Sequence, residues 1–169
     1  SNMCGIFGLI VKPNSLFSGN NVRLTLNNIA KFSESRGKDS SGLAIRIQSD
    51  KSIQVIKGDI PIRQLLKSTT FKTELKKGIE DYERGQGFAA FGHARLVTNG
   101  SQLHEVNNQP VLKNGLIIIH NGIIVNVDDL WKQHPEITRE YLIDTEIIPA
   151  LISNELRNHD DLALALNSA

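Results

Sequence analysis

The chain has 169 residues, a formal net charge of +1 and a single cysteine. This length fits one domain that can bury a substantial core. The 19 Lys and Arg residues balance 18 Asp and Glu residues, which excludes a strongly basic surface for nucleic acid. No stretch approaches the roughly 20 apolar residues that cross a bilayer, and one cysteine excludes a disulfide framework. We therefore expect a cytoplasmic globular protein with no nucleic-acid or membrane partner.

The sequence also offers no signal for a metal or a cofactor. The five histidines show no pair at the spacing of zinc sites on helices, and a second cysteine is missing. Neither a P-loop nor a glycine-rich dinucleotide fingerprint follows a predicted strand. We expect no bound metal and no cofactor.

The two ends of the chain give expectations about its extent. Ser1-Asn2-Met3 is typical of the residues left by an expression tag, followed by an initiator methionine. The domain itself would then occupy residues 4–169. The helix-forming run 162–166 stops three residues before the end without a cap, which predicts a truncated domain.

In the first half of the chain, apolar patterning predicts strands and helices in alternation. An apolar run predicts a buried strand, and helical spacing predicts an amphipathic helix. A polar turn separates two segments that read as a hairpin, and a long charged helical segment precedes a second buried strand. The first buried strand is predicted over 4–11, the amphipathic helix over 22–33, and the hairpin over 43–47 with 52–57. The charged helical segment spans 61–84, and the second buried strand spans 88–94.

In the second half, a polar loop over 98–109 precedes a hairpin over 111–120. Its turn, Lys113-Asn114-Gly115, contains the Asn-Gly pair that suits a type I′ turn. A helix is predicted over 144–157 with Pro149 inside it, and another from Asp160-Asp161 onward, where acidic residues suit a helix N-terminus.

Cys4 is the first candidate for chemistry. Met before a small residue is normally removed in the cell, which would leave Cys4 with a free α-amine. The amine has a pKa of about 7.7–8.0 and the thiol one of about 8.5, so the amine can accept the thiol proton. The alternative is a buried cysteine that packs as a small apolar residue.

Three further motifs carry two interpretations each. Arg95 in Gly92-His93-Ala94-Arg95 suits a bidentate grip on a carboxylate or a structural salt bridge, while His93 suits a packed residue. Asn121-Gly122 suits an oxyanion-binding pair or a simple turn. Asp144 suits a helix N-cap or a ligand for a substrate ammonium group.

Together and in this order, the motifs resemble the class II glutamine amidotransferases, which are N-terminal nucleophile hydrolases. This resemblance extends over most of the chain and favours the functional interpretations. The matching segments are 4–8, 36–42, 92–95, Thr98 with Gly100, 120–124 with Asn126, and Asp144-Thr145-Glu146.

The resemblance implies an α+β fold, a four-layer α-β-β-α sandwich, incomplete here at its C-terminus. It also implies that Cys4 attacks the side-chain amide of L-glutamine, with its α-amine as general base. Asn121 and Gly122 would stabilise the oxyanion, and a thioester would be hydrolysed to glutamate. The ammonia would pass to an acceptor domain or subunit outside this chain.

The remaining site residues are implied in the same way. Arg95 would bind the substrate α-carboxylate and Asp144 its α-ammonium group. The wall of the same pocket would be formed by Leu96, Thr98 and Asn99. Supporting roles would fall to Arg36, Asp39 and His93.

Within the family, the motifs are most similar to the glutaminase domain of glucosamine-6-phosphate synthase. Leu96 stands where that group usually has an aromatic residue, and Arg95-Leu96 with Gln109-Pro110 is similar to asparagine synthetase. Lys38 stands where amidophosphoribosyltransferases usually have Gln. These enzymes remain alternatives for the acceptor, as does a non-catalytic glutamine-binding module on the same fold.

Two further expectations follow. Because Ser1-Asn2-Met3 precede Cys4, its amine is held in a peptide bond, and this chain should show no glutaminase turnover. A truncated sandwich would leave a sheet face or edge exposed, which favours a homodimer or completion of the core by further residues.

Overall fold

The computed structural model describes residues 4–96 and 108–169. The chain divides into two compact units, Ser1–Pro110 (unit 1) and Val111–Ala169 (unit 2). Both combine helices with antiparallel strands, which confirms the predicted α+β class. No helix in the described part of the chain is long and apolar enough to cross a membrane.

Unit 1 is built on one four-stranded antiparallel sheet. Its strand order is β1-β4-β2-β3, so the first and the last strand of this unit are neighbours. The strands are β1 Gly5–Val11, β2 Ser40–Ile47, β3 Ser52–Gly58 and β4 Phe88–Arg95. The predicted strands and the predicted hairpin are therefore confirmed.

The helices of unit 1 are α1 Gly19–Ser33, α2 Ile62–Leu65 and α3 Thr69–Glu83. Ser18 caps α1, since its hydroxyl accepts a hydrogen bond from the Asn21 N–H at 3.1 Å. The single helical segment predicted over 61–84 is wrong in one respect. Ser68 caps α3 through the Phe71 N–H and so divides the segment into two helices.

The core of unit 1 lies between the sheet and the two long helices. Its largest fully buried side chains are Leu26, Leu43, Ile45, Ile47, Ile62, Phe71 and Phe88. The opposite face of the sheet is exposed along β1 and at the start of β3, where Ile6, Ile10 and Ile53 are 52%, 84% and 46% exposed. β1 was predicted as a buried strand, but its burial alternates because the helices cover only one face of the sheet.

Unit 2 begins with a short hairpin, β5 Val111–Lys113 and β6 Leu116–Ile118. Asn114 and Gly115 have φ angles of 50° and 80°, as the predicted type I′ turn requires. The second strand was predicted to reach residue 120, but it ends at Ile118.

The helices of unit 2 are α4 Val127–Gln133, α5 Ile147–Glu155 and α6 Leu162–Ser168. A 3-10 turn at Asp144–Glu146 precedes α5, so the helix predicted from residue 144 starts three residues later. Pro149 lies in the first turn of α5, where its missing N–H leaves no helical hydrogen bond unmade. α4 was not predicted.

Candidate active site

The candidate residues fall into two sets, one in each unit. Unit 1 carries the nucleophile candidate and five further candidates: Cys4, Arg36, Asp39, His93, Arg95 and Leu96. Unit 2 carries Asn121, Gly122 and Asp144. Two residues predicted to form the pocket wall, Thr98 and Asn99, lie outside the described residues.

Cys4 stands immediately before β1, at the end of the sheet where β4 finishes. Gly5 pairs with Ala94, so continuing the register places Cys4 opposite Arg95, the last residue of β4. Alternation along the strands assigns both positions to the sheet face that is opposite to the helices. Cys4 is a partly buried free cysteine. The sheet therefore brings the candidate nucleophile and the candidate carboxylate-binding residue to the same end of the sheet, on the same face.

The turn that contains Arg36 and Asp39 lies against the same sheet end. Arg36 ends a 3-10 turn, Glu34–Arg36, and Gly37 follows in extended backbone. A Cβ on Gly37 would overlap the backbone of Arg95 and Leu96, so glycine is required for this close approach. The Asp39 N–H donates to the Arg95 carbonyl oxygen at 3.0 Å. The turn thus fixes the peptide bond that joins Arg95 to Leu96.

His93 lies in the centre of the sheet and is 1% exposed. It pairs with Ile6 on one side and with Gly42 on the other. This burial matches the prediction of a packed residue. Leu96, directly after β4, is half-buried.

In unit 2, Asp144 connects the 3-10 turn to the segment that contains Asn121 and Gly122. Its Oδ2 accepts a hydrogen bond from the Ile124 N–H at 2.8 Å, and its Oδ1 accepts one from the Thr145 N–H at 2.8 Å. The structure therefore does not support the helix N-cap interpretation of Asp144, and the role as a ligand for a substrate ammonium group stays a prediction. Asp144 precedes the helix by a full turn and holds a neighbouring loop.

Asn121 and Gly122 are exposed, and no strand or helix includes them. An amide side chain and a backbone N–H that face solvent are available to donate to a ligand oxygen. The hydrogen bond from the Ile124 N–H to Asp144 fixes the chain two residues after Gly122.

A buried charged cluster lies next to the 3-10 turn Asp144–Glu146, and it was not predicted from the sequence. Lys113 lies 2.7 Å from Glu146 and 3.1 Å from Glu140. Burial by itself lowers the pKa of Lys113, but the hydrogen bonds and charges of the two carboxylates outweigh it and raise that pKa above its ordinary value. No sequence signal distinguishes this Lys from an exposed residue before an Asn-Gly turn.

Within residues 4–96 and 108–169, no group of three or more His, Cys, Asp or Glu side chains could hold a metal ion. The described candidates offer one thiol, two guanidinium groups, two carboxylates, one imidazole and amide donors.

No family model matches the chain. Individual proteins do match it over most of its length. It is 31% identical to a glutamine–fructose-6-phosphate aminotransferase of Xylella fastidiosa over 99% of the chain, and 32% identical to that of Campylobacter jejuni over 92%. The chain is a homologue of these aminotransferases. This finding confirms the resemblance to glutamine amidotransferases that the motifs indicate.

A protein of different name matches as well. The chain is 34% identical to a 7-cyano-7-deazaguanine synthase of Saccharolobus solfataricus over 89% of its length. The chain spans 30% of that synthase and about a quarter of the aminotransferases. The relatives therefore extend well beyond the segment that matches this chain.

Proposed function

We propose that this chain hydrolyses the side-chain amide of L-glutamine to glutamate and ammonia, with Cys4 as the nucleophile. The observation that carries the proposal is the register of β1 and β4, which places Cys4 level with Arg95 in a chain homologous to glutamine-dependent aminotransferases. A nucleophile and a carboxylate-binding group at one sheet end suit a small amino-acid substrate.

The proposed reaction has two halves. In the first, the Cys4 α-amine takes the thiol proton as Sγ attacks the amide carbon, and Asn121 Nδ2 and the Gly122 N–H donate to the oxyanion. Protonation of the leaving nitrogen breaks the C–N bond and releases ammonia, which leaves a γ-glutamyl thioester. In the second half, water attacks the thioester and releases glutamate and the thiol.

Recognition of both ends of a free amino acid requires one cation and one anion. Arg95 would bind the α-carboxylate and Asp144 the α-ammonium group. Asp144 Oδ1 accepts from the N–H and the hydroxyl of Thr145, whereas Oδ2 accepts one backbone hydrogen bond, from Ile124, and has a second lone pair for a ligand. Leu96, Thr98 and Asn99 would form the pocket wall.

Arg36, Asp39 and His93 would support this arrangement without touching the reacting atoms. Support comes from the Asp39 N–H, which holds the Arg95 carbonyl, and from the burial of His93 between β1 and β2. A displacement of a binding group by about 1 Å can lower the reaction rate about 100-fold. Residues that hold Arg95 in place therefore affect catalysis.

We also propose the four-layer α-β-β-α sandwich. It is supported by the open face of the four-stranded sheet, where Ile6, Ile10 and Ile53 are exposed although apolar. A large apolar sheet face is stable when a second layer covers it. We further propose that the chain forms a homodimer and that it is located in the cytoplasm.

The ammonia would be used by a part of the full-length protein outside this chain. We propose a sugar phosphate as the acceptor, because several homologues are named for amine transfer to fructose 6-phosphate. The deazaguanine synthase homologue shows that a relative can carry a different name and product. Assay of the full-length protein with fructose 6-phosphate and glutamine would decide between these acceptors.

The deciding experiment compares two forms of the chain. One begins at Cys4, with its N-terminus verified by mass spectrometry, and the other retains Ser1-Asn2-Met3. We expect glutamate release from the first form only, and none after Cys4→Ala. Equal turnover of both forms would contradict the free-amine mechanism, and no turnover of either would contradict the proposed function.

A further inference from the structure

Unit 2 holds a buried ion pair directly behind the turn that carries Asp144. Lys113 Nζ lies 2.7 Å from Glu146 Oε1, and the two side chains are 3% and 0% exposed. Removing two charges from water is costly unless the pair has good geometry and its remaining hydrogen-bonding capacity is used. A pair that meets these conditions restricts the backbone segments that carry it.

The Glu146 carboxylate is held by more than the ion pair. Its Oε1 also accepts a hydrogen bond from the Glu140 N–H at 2.8 Å, and its Oε2 accepts one from the Tyr141 N–H at 2.7 Å. Lys113 donates in addition to the Thr138 carbonyl oxygen at 2.8 Å. The pair therefore joins the end of β5, the segment over 138–141 and the 3-10 turn to one another.

The other end of the same turn carries Asp144. A 3-10 helix has about three residues per turn, so residues two apart point in different directions. Glu146 is directed into the buried cluster, whereas Asp144 contacts the loop that contains Ile124. The turn is thus anchored on one side and carries the candidate substrate-binding carboxylate on the other.

We propose that Lys113 and Glu146 are a positioning pair, which places the Asp144 carboxylate for recognition of the α-ammonium group of glutamine. The inference rests on the proposed function. Neither residue touches the substrate in it, and both act through Asp144. Glu146 is the residue that fixes the turn, and Lys113 is its buried partner at 2.7 Å.

The test uses Glu146→Gln in the chain that begins at Cys4. This variant keeps the size of the side chain but replaces one acceptor oxygen with an amide donor, which cannot accept from the Glu140 or Tyr141 N–H. We expect KM for glutamine to rise roughly 10- to 100-fold. The inhibition constant of 4-carbamoylbutanoate, which is glutamine without its amino group, should change less than about 2-fold because that ligand makes no contact with Asp144. Equal changes for both ligands, or no change, would overturn the inference.

Ile147→Val is the matched control. Ile147 is 1% exposed and directly follows the 3-10 turn, so this variant weakens the packing of the same region without altering the charged cluster. We expect its KM for glutamine to match that of the unsubstituted chain. A KM that rises as much in Ile147→Val as in Glu146→Gln would show that general loosening is sufficient, and would overturn a specific positioning role.

Hydrogen exchange of the Ile124 amide separates this inference from the proposed function. That N–H donates to Asp144, so its protection reports the placement of Asp144 in the absence of any substrate. We expect Glu146→Gln to accelerate the exchange of the Ile124 amide about 10-fold, more than that of the amides in α5, and Ile147→Val not to do so. If no form hydrolyses glutamine, the proposed function fails but the exchange result still stands. Unchanged exchange in a folded Glu146→Gln chain would overturn the positioning pair itself.

Glu146→Asp is the second variant should Glu146→Gln not fold. It keeps the charge but draws the carboxylate back by one methylene, so the pair with Lys113 persists while the turn must shift. We expect an intermediate rise in KM and in the Ile124 exchange rate. The values of the unsubstituted chain would count against the inference.

Discussion

Units 1 and 2 are stabilised by different means. In unit 1, α1 and α3 cover one face of a four-stranded sheet, and the buried side chains between them are apolar, Phe71 and Phe88 among them. In unit 2, a hairpin of two three-residue strands and three short helices offers fewer apolar side chains, and a charged cluster around Glu146 lies inside. Apolar packing tolerates small rearrangements, whereas a buried ion pair requires one geometry.

This difference corresponds to the chemistry proposed for each unit. The sheet of unit 1 places Cys4 and Arg95 by backbone register, which needs no particular side-chain contact. The loop residues of unit 2, Asn121 and Gly122, belong to no regular element. Hydrogen bonds to side chains must therefore fix the backbone around them, as Asp144 does at Ile124.

The largest effect should come from removing apolar volume in unit 1. Phe71 is 1% exposed, and Phe71→Ala should lower the free energy of unfolding by about 3–5 kcal/mol because it leaves a cavity. Urea unfolding followed by circular dichroism would measure it. Phe32→Ala, at a residue 78% exposed, is the control and should cost less than about 0.5 kcal/mol. A comparable loss in both variants would contradict the assigned core.

Breaking the buried pair of unit 2 should cost somewhat less. Lys113→Met leaves the buried Glu146 side chain without its countercharge and with only backbone donors, and should destabilise by about 3 kcal/mol. The double variant Lys113→Met/Glu146→Gln should be more stable than Lys113→Met alone, because it removes the uncompensated charge. Urea unfolding of Lys113→Met, Glu146→Gln and the double variant, each compared with the unsubstituted chain, would measure these losses. If the loss in the double variant equals the sum of the two single losses, the ion pair is contradicted.

A pH-dependent contribution should distinguish a buried carboxylate in unit 1. The Ser49 N–H donates to Asp81 at 2.9 Å and lowers the pKa of this carboxyl below its ordinary value of 3.8, although burial opposes the shift. A lowered folded-state pKa stabilises the protein above pH 3.8, and this contribution is lost as the pH falls below that value.

Asp81→Asn should therefore cost about 1.5–3 kcal/mol at pH 7, the range for hydrogen bonds to a charged group. The difference from the unsubstituted chain should shrink as the pH is lowered below 3.8. Thermal unfolding across this pH range would measure the difference. The control is Asp50→Asn, at an exposed residue next to Ser49 in the turn between β2 and β3. A difference that stays constant with pH would show that Asp81 contributes by shape alone.

The smallest effect should come from a helix cap. Ser68 accepts the Phe71 N–H at 3.2 Å at the start of α3, and Ser68→Ala should cost about 1 kcal/mol. Ser35→Ala removes an exposed hydroxyl that donates to a carbonyl, and should cost less than about 0.5 kcal/mol. Chemical unfolding of the two variants side by side would reveal whether the cap contributes as expected.

The strands of unit 1, the hairpin turn at Asn114-Gly115 and the amidotransferase resemblance were predictable from the sequence. These features depend on local patterns: apolar runs, alternation, turn residues and short motifs in order. Local reasoning also located the start of α6, because Asp161 accepts from the Ala163 N–H at 2.7 Å.

The buried face of β1 and the buried partner of Lys113 could be read only from the folded chain. Both depend on elements far away in sequence: α1 and α3 cover one sheet face, and Glu146 meets Lys113 across 33 residues. A side chain's own neighbours carry no record of such a partner. For this reason the motif containing Asp144 was readable from the sequence, while the buried pair behind it became visible only in the folded chain.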